Sequence, residues 1–424
     1  MRSLRIAAFL SAFALLWPRP APANGRYPSA NQLLVDPGNS SHLVLRTTFG
    51  LLLSQDAGLS WTWVCEDAIG YVGNNDPALA IFQNGTIAAG FGRDLRVSPD
   101  AGCSWPSPFS NVAQATFVDA TLDPSDSTKA FFLSRSLDTT RQVNVVVASQ
   151  TASALTALGI PLGDDISPLT IEVAPTNPGR VYVTAIDADL TSVLLRSDDR
   201  GQNWRRLPIH PDETLPAYIA GVDPTNPDRL YLRLDGMTTD LLLVSDDGGV
   251  TFDEAFSIDS DMLGFALSPD GANISLGGPS VGLFSGDAAS LAFVHSPAPI
   301  RNLSCLKWTR SALIACALES TDGFTLARSI DSGQTFTPLF HLRDLEPRSC
   351  APKSNVAALC PLSWPIVASS LGIGVEPTQP NVTAAGGCSY ARPRAQHWVT
   401  GALPLLGLFC GLALRRKRFE KRRA

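Results

Sequence analysis

Five segments of this 424-residue chain repeat one pattern, Ser-x-Asp-x-Gly-x-x followed by Trp or Phe, and their spacing restricts the fold more than any other feature. They begin at Ser54, Ser98, Ser197, Ser245 and Ser329, and their central aspartates are Asp56, Asp100, Asp199, Asp247 and Asp331. The steps between aspartates are 44, 99, 48 and 84 residues, so two intervals are about double the others. Eroded copies fill both gaps. ASQTAS around Thr151 keeps the serine alone, and FSGDAASLAF keeps Ser285 and Asp287 without the glycine spacing. Seven units of about 40 to 50 residues follow, a period that belongs to solenoids, propellers and arrays.

The content of each unit selects among these. The stretch 169–208 has four short runs rich in Val, Ile, Leu and Tyr, separated by Pro, Asn, Gly and Asp turns. An Asp-Pro or Ala-Pro element closes the first run at Asp36, Asp123, Ala174 and Asp223, with Ser268-Pro269 in the same place. Four strands per unit without helical periodicity describe a propeller blade. The expectation is an all-β, seven-bladed propeller over 24–340, with Thr151 and Asp287 in the same hairpin position as the intact motifs.

On these five motifs, in register over roughly 27–340, the chain resembles the Asp-box (BNR) propellers. That group includes sialidases, sortilin-type receptors, some endoglucanases and photosystem assembly factors. The resemblance implies a fold and leaves the activity open, because one scaffold carries unrelated functions. The motif itself reads as a turn: a short carboxylate bonds nearby backbone N–H groups, and glycine supplies the unusual dihedral. Calcium loops draw more oxygen ligands from one segment than these turns offer, so no metal is expected at them.

Both ends read as address labels. Residues 1–23, with Arg2 and Arg5 ahead of an apolar run from Ile6 to Trp17 and then Ala21-Pro22-Ala23, fit a secretory signal. At the other end Gly386-Gly387-Cys388-Ser389 precedes an apolar run over 398–414 and the basic tail RRKRFEKRRA. Seventeen residues are at the lower limit for a bilayer span, and the basic cluster is expected to stay cytoplasmic. This tripartite end (388–424) resembles the MYXO-CTERM sorting signal of myxobacteria and related Gram-negative bacteria. That resemblance implies processing near Cys388 and transfer to the outer membrane or cell surface; the alternative is a plain single-span anchor in the inner membrane.

The chain has 33 basic and 39 acidic residues. Three of the basic residues lie in the leader, and nine basic residues and Glu420 lie from 388 onward, which leaves the remainder with 17 net negative charges. Such a surface repels nucleic acid and anionic lipid. Six of the eight cysteines lie between the end labels, where an oxidising compartment makes disulfides the default. Cys305 and Cys316 face each other if Trp308 pairs with Leu313 in a hairpin. Cys350 and Cys360 bracket a short loop, and elimination leaves Cys65 with Cys103. None has zinc-site spacing. Residues 341–372 form an appendix expected to contain one short helix packed on the propeller, and 373–387 a flexible linker.

Candidate site residues follow from the fold. Propeller ligands meet the mouth of the central channel, at the starts of the innermost strands, here near Asn31, Asp76, Asp119, Glu172, Tyr218, Met262 and Ser304. Asn75 and Asp76 end a loop with polar and glycine residues, and Asp119 with Glu172 forms the best carboxylate pair for a glycosidase. A sialidase-type set of arginines is missing: Arg26-Tyr27-Pro28 precedes the first blade, and Pro299-Ile300-Arg301 has the wrong order. Phosphate loops, His-x-x-x-His pairs and nucleophile elbows are also missing, so no cofactor is expected. The leading expectation is a monomeric, non-catalytic surface module that binds carbohydrate, peptide or an envelope protein. The alternatives are a surface glycoside hydrolase and an envelope assembly factor.

Overall fold

The computed structural model describes residues 26–71, 76–109, 115–151, 154–209 and 214–374. Seven sheets follow one another along the chain. Blade one holds β1 (Ala30–Val35), β2 (Leu43–Thr47), β3 (Gly50–Ser54) and β4 (Thr62–Val64), and blade two β5 (Ala78–Ile81), β6 (Ile87–Phe91) and β7 (Asp94–Ser98). Blade three is β8 (Ala115–Leu122), β9 (Lys129–Ser136), β10 (Val143–Ser149) and β11 (Thr156–Ala157); blade four is β12 (Ser167–Val173), β13 (Val181–Ile186), β14 (Ser192–Ser197) and β15 (Arg205–Pro208). Blade five is β16 (Ala217–Val222), β17 (Leu230–Leu234), β18 (Asp240–Ser245) and β19 (Asp253–Ile258). Blade six is β20 (Gly264–Leu267), β21 (Asn273–Gly278), β22 (Gly282–Asp287) and β23 (Ala292–His295). Blade seven is β24 (Leu303–Trp308), β25 (Leu313–Ala317), β26 (Leu326–Ser329) and β27 (Thr337–Phe340). The first strands neighbour one another in the cycle β1, β5, β8, β12, β16, β20, β24 and back to β1, which closes the ring around a channel. This is the seven-bladed propeller expected from the repeat.

The turn chemistry explains the motif. In the first copy Ser54 Oγ accepts from Gly58 N at 2.9 Å and donates to Asp56 Oδ1 at 2.8 Å. Asp56 then accepts from Ser60 N at 2.9 Å and Ser60 Oγ at 2.6 Å, and Trp61 Nε1 closes back onto the Gly58 carbonyl at 2.9 Å. The glycine is required because its φ is +91°, a region that L side chains avoid. Around Ser197 and Ser245 the same serine-to-glycine bond measures 2.7 and 2.8 Å. Thr151 lies between β10 and β11, and Asp287 ends β22 ahead of β23, so both eroded copies keep the third-to-fourth strand position. Blade two departs from four strands. Among the described residues only the carbonyl of Pro106 takes a fourth-strand place, accepting from Val97 N at 3.0 Å, since a proline has no N–H to continue the ladder.

Among the cysteines, Cys305–Cys316 forms as the hairpin register requires, with Cys305 opposite Cys316 and Trp308 opposite Leu313. The other two expected pairs are corrected. Cys65 bonds Cys360, and Cys103 bonds Cys350, across sequence separations of 295 and 247 residues. The reason is the path of the appendix. After blade seven the chain crosses to blade one, where β28 (Glu346–Pro347) joins β4 as a parallel fifth strand. It then meets the motif turn of blade two, where Val356 N donates to the Cys103 carbonyl at 3.3 Å.

Two short helices, α1 (Glu66–Ile69) and α2 (Glu319–Asp322), punctuate blades one and seven, and α3 (Asn355–Ser370) forms the appendix helix. It starts earlier than the run SWPIVASSLGI indicated, because Ser354 Oγ caps it by accepting from Ala357 N at 3.1 Å. It lies on α1 and blade one, with the Trp364 ring tilted against that of Trp63, centroids 5.6 Å apart. Residues 1–25 and 375–424, which hold the expected leader, sorting motif and span, lie outside the described residues. Among the described residues no helix is long and apolar enough to cross a membrane.

Candidate functional site at the central channel

The first strands that line the channel are not regular. Five carry a bulge against their second strand: β1 between Ala30 and Gln32, β8 between Phe117 and Asp119, β12 between Pro168 and Thr170, β16 between Ile219 and Gly221, and β24 between Leu303 and Cys305. A bulge re-aims the side chains that follow it. Here it turns polar groups toward the neighbouring blade.

Blades one and two meet through such groups. Asp76, just ahead of β5, accepts from Asn31 Nδ2 at 2.7 Å and from Arg26 Nη1 at 2.7 Å. Arg46 Nε donates to Asn31 Oδ1 at 2.9 Å and Nη1 to the Pro77 carbonyl at 3.0 Å. Burial pulls the Arg46 guanidinium below its usual pKa, against the raising effect of Asp76 and Asp119. Tyr71 is buried, its hydroxyl has no partner among the described residues, and desolvation drives its pKa upward.

Asp119 and Glu172 are brought together, in a reciprocal arrangement. Asp119 Oδ2 accepts from the backbone N–H of Ile171 at 3.0 Å, and Thr121 Oγ1 donates to Glu172 Oε2 at 2.7 Å. Each carboxylate thus stitches β8 of blade three to β12 of blade four. Thr170 repeats the pattern one seam on, its hydroxyl accepting from Ile219 N at 2.9 Å. Burial among the strands pushes the Asp119 carboxyl up to about 7, opposed by the Ile171 N–H and reinforced by the charge of Glu172. Burial raises Glu172 as well, while Thr121 and Lys307 hold it down. Both keep partial solvent exposure through the channel.

Glu172 is not at the start of its strand. The strand β12 begins at Ser167, ahead of the apolar run that marked it in the sequence, so Glu172 lies near the far end, on the face of the first-to-second strand turns. There the channel widens into a cavity of about 320 Å³ lined by Asn31, Gln32, Glu172, Phe265, Lys307 and Trp308. Tyr218 lines a separate recess of about 190 Å³, where Arg233 stacks over its ring at 4.8 Å and donates to the Met262 carbonyl at 2.9 Å. Met262 is buried, and Ser304, the bulged residue of β24, has a hydroxyl without a partner among the described residues. Asn75 lies outside the described residues. Sequence reasoning missed Arg46, Tyr71, Lys307 and Trp308. Arg46 is on a second strand and the last two end a first strand, away from the strand starts that guided the search.

Beside the recess Asp235, Asp240 and Asp261 bring carboxylate oxygens within 4.8 Å of one another. Asp240 spends both oxygens on Gly236 N (2.9 Å) and Met262 N (2.7 Å), and Arg233 supplies the counter-charge. Burial raises the pKa of Asp235. Asp240 thus anchors the loops at Gly236 and Met262.

No protein-family model matches the chain, and no curated protein matches it. Solved structures do. One is a GH74 enzyme from Niastella koreensis, with 13% identity and a TM-score of 0.43, covering 73% of this chain and 65% of that one. A GH74 xyloglucanase from Xanthomonas campestris has 15% identity and a TM-score of 0.36, covering 72% and 63%. The extracellular domain of a hybrid two-component system from B. thetaiotaomicron has 13% identity and a TM-score of 0.49, covering 72% and 39%. The chain therefore spans just under two thirds of the GH74 enzymes it matches, and likenesses this distant speak to the fold alone.

Proposed function

We propose that the protein is an exported, non-catalytic binding module, a member of the Asp-box propellers, that takes a small polar ligand in its central channel. The observation that carries this reading is the use made of Asp119 and Glu172. A glycosidase needs one carboxyl free to give a proton and a second free to attack or to activate water. In this chain each is committed to the adjacent blade, through Ile171 N and Thr121 Oγ1. What remains for a ligand is the cavity of about 320 Å³ with Lys307 and the Trp308 ring at its wall. A volume at the small end of ligand sites, with few polar groups beside an aromatic surface, suits a carbohydrate unit or a short peptide end.

Three disulfides support an oxidising compartment, and the leader-like 1–23 and tripartite 388–424 support export followed by tethering or MYXO-CTERM-type sorting, with Cys388 as the processing point.

A glycan and peptide array probed with the protein, beside a broad glycosidase screen, tests the binding reading. Binding is expected, with Lys307→Met weakening it at least tenfold and melting unchanged. Turnover that disappears in Asp119→Asn or Glu172→Gln would replace this reading with the glycoside hydrolase. For the address, Cys388→Ala is expected to retain the full-length form in the inner membrane. Unchanged location of that variant reduces the segment to an ordinary anchor.

A further inference from the structure

Two opposite charges face the larger channel cavity. Glu172 comes from β12 of blade four and Lys307 from β24 of blade seven, and both line the cavity of about 320 Å³. In the cycle of first strands these two blades are as far apart as a ring of seven allows, so the charges stand on opposite walls. Lys307 lowers the pKa of Glu172, which shows that each charge acts on the other, yet no ion pair joins them. Thr121 takes only Oε2 of Glu172. The second oxygen, Oε1, has no hydrogen bond among the described residues, and neither has the Lys307 ammonium. A single hydrogen bond from a hydroxyl fixes a carboxylate in place without cancelling its charge. Val222, Phe265, Leu267 and Trp308 add apolar side chains to the same wall. Gln32 Oε1 and Trp308 Nε1, both of lining residues, are buried without a partner among the described residues, so the wall holds an acceptor and a donor that the blades leave unused.

We propose that the ligand of this cavity is a free α-amino acid with an apolar side chain, its carboxylate toward Lys307 and its ammonium toward Glu172. The inference rests on the reading of the channel as a ligand site and names the class of ligand. A neutral sugar filling the cavity would take water from both charges and return no counter-charge to either. A zwitterion returns the opposite charge to each, through charge-assisted hydrogen bonds. Standing on opposite walls, Glu172 and Lys307 do not reach each other, and a molecule that carries both signs closes the gap. A peptide end carries only one of the two and would leave the other group against a neutral amide. At about 30 Å³ per water the cavity holds on the order of ten waters, which is room for one amino acid.

Calorimetric titration of the full chain with L-leucine, L-phenylalanine and L-tryptophan tests this, followed by the N-acetyl and carboxamide derivatives of whichever binds best. At least one of the three is expected to bind, and each blocked derivative to bind on the order of tenfold more weakly, the effect of losing one charged hydrogen bond. On the ammonium side the ligand is altered and the protein is left intact, because Glu172 also holds Thr121. Lys307→Met is expected to weaken the free amino acid by a similar factor and to bring the acid and its carboxamide to equal affinity, with melting unchanged. A lysine that only shaped the cavity would weaken both alike and preserve their ratio, against the proposal. An N-acetyl derivative that binds as well as the free amino acid makes the site one for a peptide C-terminus, and a carboxamide that binds as well makes it one for an amine; either overturns the proposal. So does a chain that binds glycans or peptides on the array and none of the three amino acids, which leaves the binding module standing. Silence in both assays removes the channel as a ligand site and this proposal together.

Discussion

The ring has one seam that the chain does not cross within the blades, between blade seven and blade one, and the appendix closes it from outside. Removing Cys65–Cys360 by Cys65→Ala with Cys360→Ala measures that closure. The bond spans 295 residues, for which the chain-entropy model gives on the order of 5 to 6 kcal/mol if it were the sole cross-link. It is not, because Cys103–Cys350 is nested inside it. With the inner bond intact, the outer one closes an additional loop of roughly 48 residues, worth about 4 kcal/mol. An unfolding entropy of about 2.1 cal/mol/K per residue over roughly 350 ordered residues converts this to a drop of about 5 °C in melting temperature.

Calorimetry of the double variant beside wild type, both under non-oxidising and non-reducing conditions, reads the shift. Cys305→Ala with Cys316→Ala opens a loop of only 11 residues and is expected to lose about 3 kcal/mol. Loss of both appendix bonds removes a sum comparable to the whole stability of a domain, so that variant is expected to open at the seam. Hydrogen exchange should then rise in β1 to β4 and β24 to β27 before it rises in blades three to five. A Cys65→Ala, Cys360→Ala protein that melts within a degree of wild type would show that packing of β1 on β24 closes the ring unaided, and the latch argument would fail.

Two further outcomes are expected. Ser197→Ala leaves the buried N–H of Gly201 without its acceptor and should lower stability by about 1 to 3 kcal/mol while array binding persists; normal melting with lost binding would make the turn a ligand site. Asp119 is held near 7 in the folded protein against about 3.9 unfolded, so the folded state binds the extra proton between these values and stability falls as pH rises from 4 to 7. The loss is on the order of 4 kcal/mol, and Asp119→Asn, which keeps an acceptor for Ile171 N, should flatten it; melting curves with the same pH dependence in both proteins would contradict the burial argument. Asp247 and Asp331, pulled down to about 2 by their turn hydrogen bonds, act in the opposite sense and lose stability only below about pH 4.

The architecture was legible because the motif is a local device. Each serine, aspartate and glycine satisfies its own turn, so the pattern survives in sequence wherever the turn survives, and the doubled intervals located Thr151 and Asp287 correctly. The Cys305–Cys316 bond was legible for the same reason, since register within a hairpin fixes which side chains face. The other cysteines were not. A pairing of Cys65 with Cys360 depends on the appendix passing over the seam to reach blade one, and nothing local to either cysteine records that path. The proximity of Cys350 and Cys360 in sequence pointed to a loop that the capped helix α3 excludes, because its first turns carry Cys360 away toward Cys65.

The site was legible in outline and not in detail, and the bulges are the cause. Alternation along a strand assigns side chains to faces with a period of two, and one extra residue inverts that assignment for the rest of the strand. A reading of Asp119 as a channel-facing acid at a strand start did not include the bulge at Val118 that aims it at Ile171 N. The strand β12 begins at Ser167, upstream of the apolar run that marked it, so Glu172 lies near its far end, with Lys307 and Trp308 lining the same cavity. The same defects that hide the site create its character. A regular first strand would send its polar side chains into the channel, whereas bulged ones commit Asp119 to Ile171 N and Asn31 to Asp76 and leave Lys307 at the cavity wall. The strand irregularities therefore decide which first-strand side chains join blades and which reach the cavity, and a repeat motif does not record them.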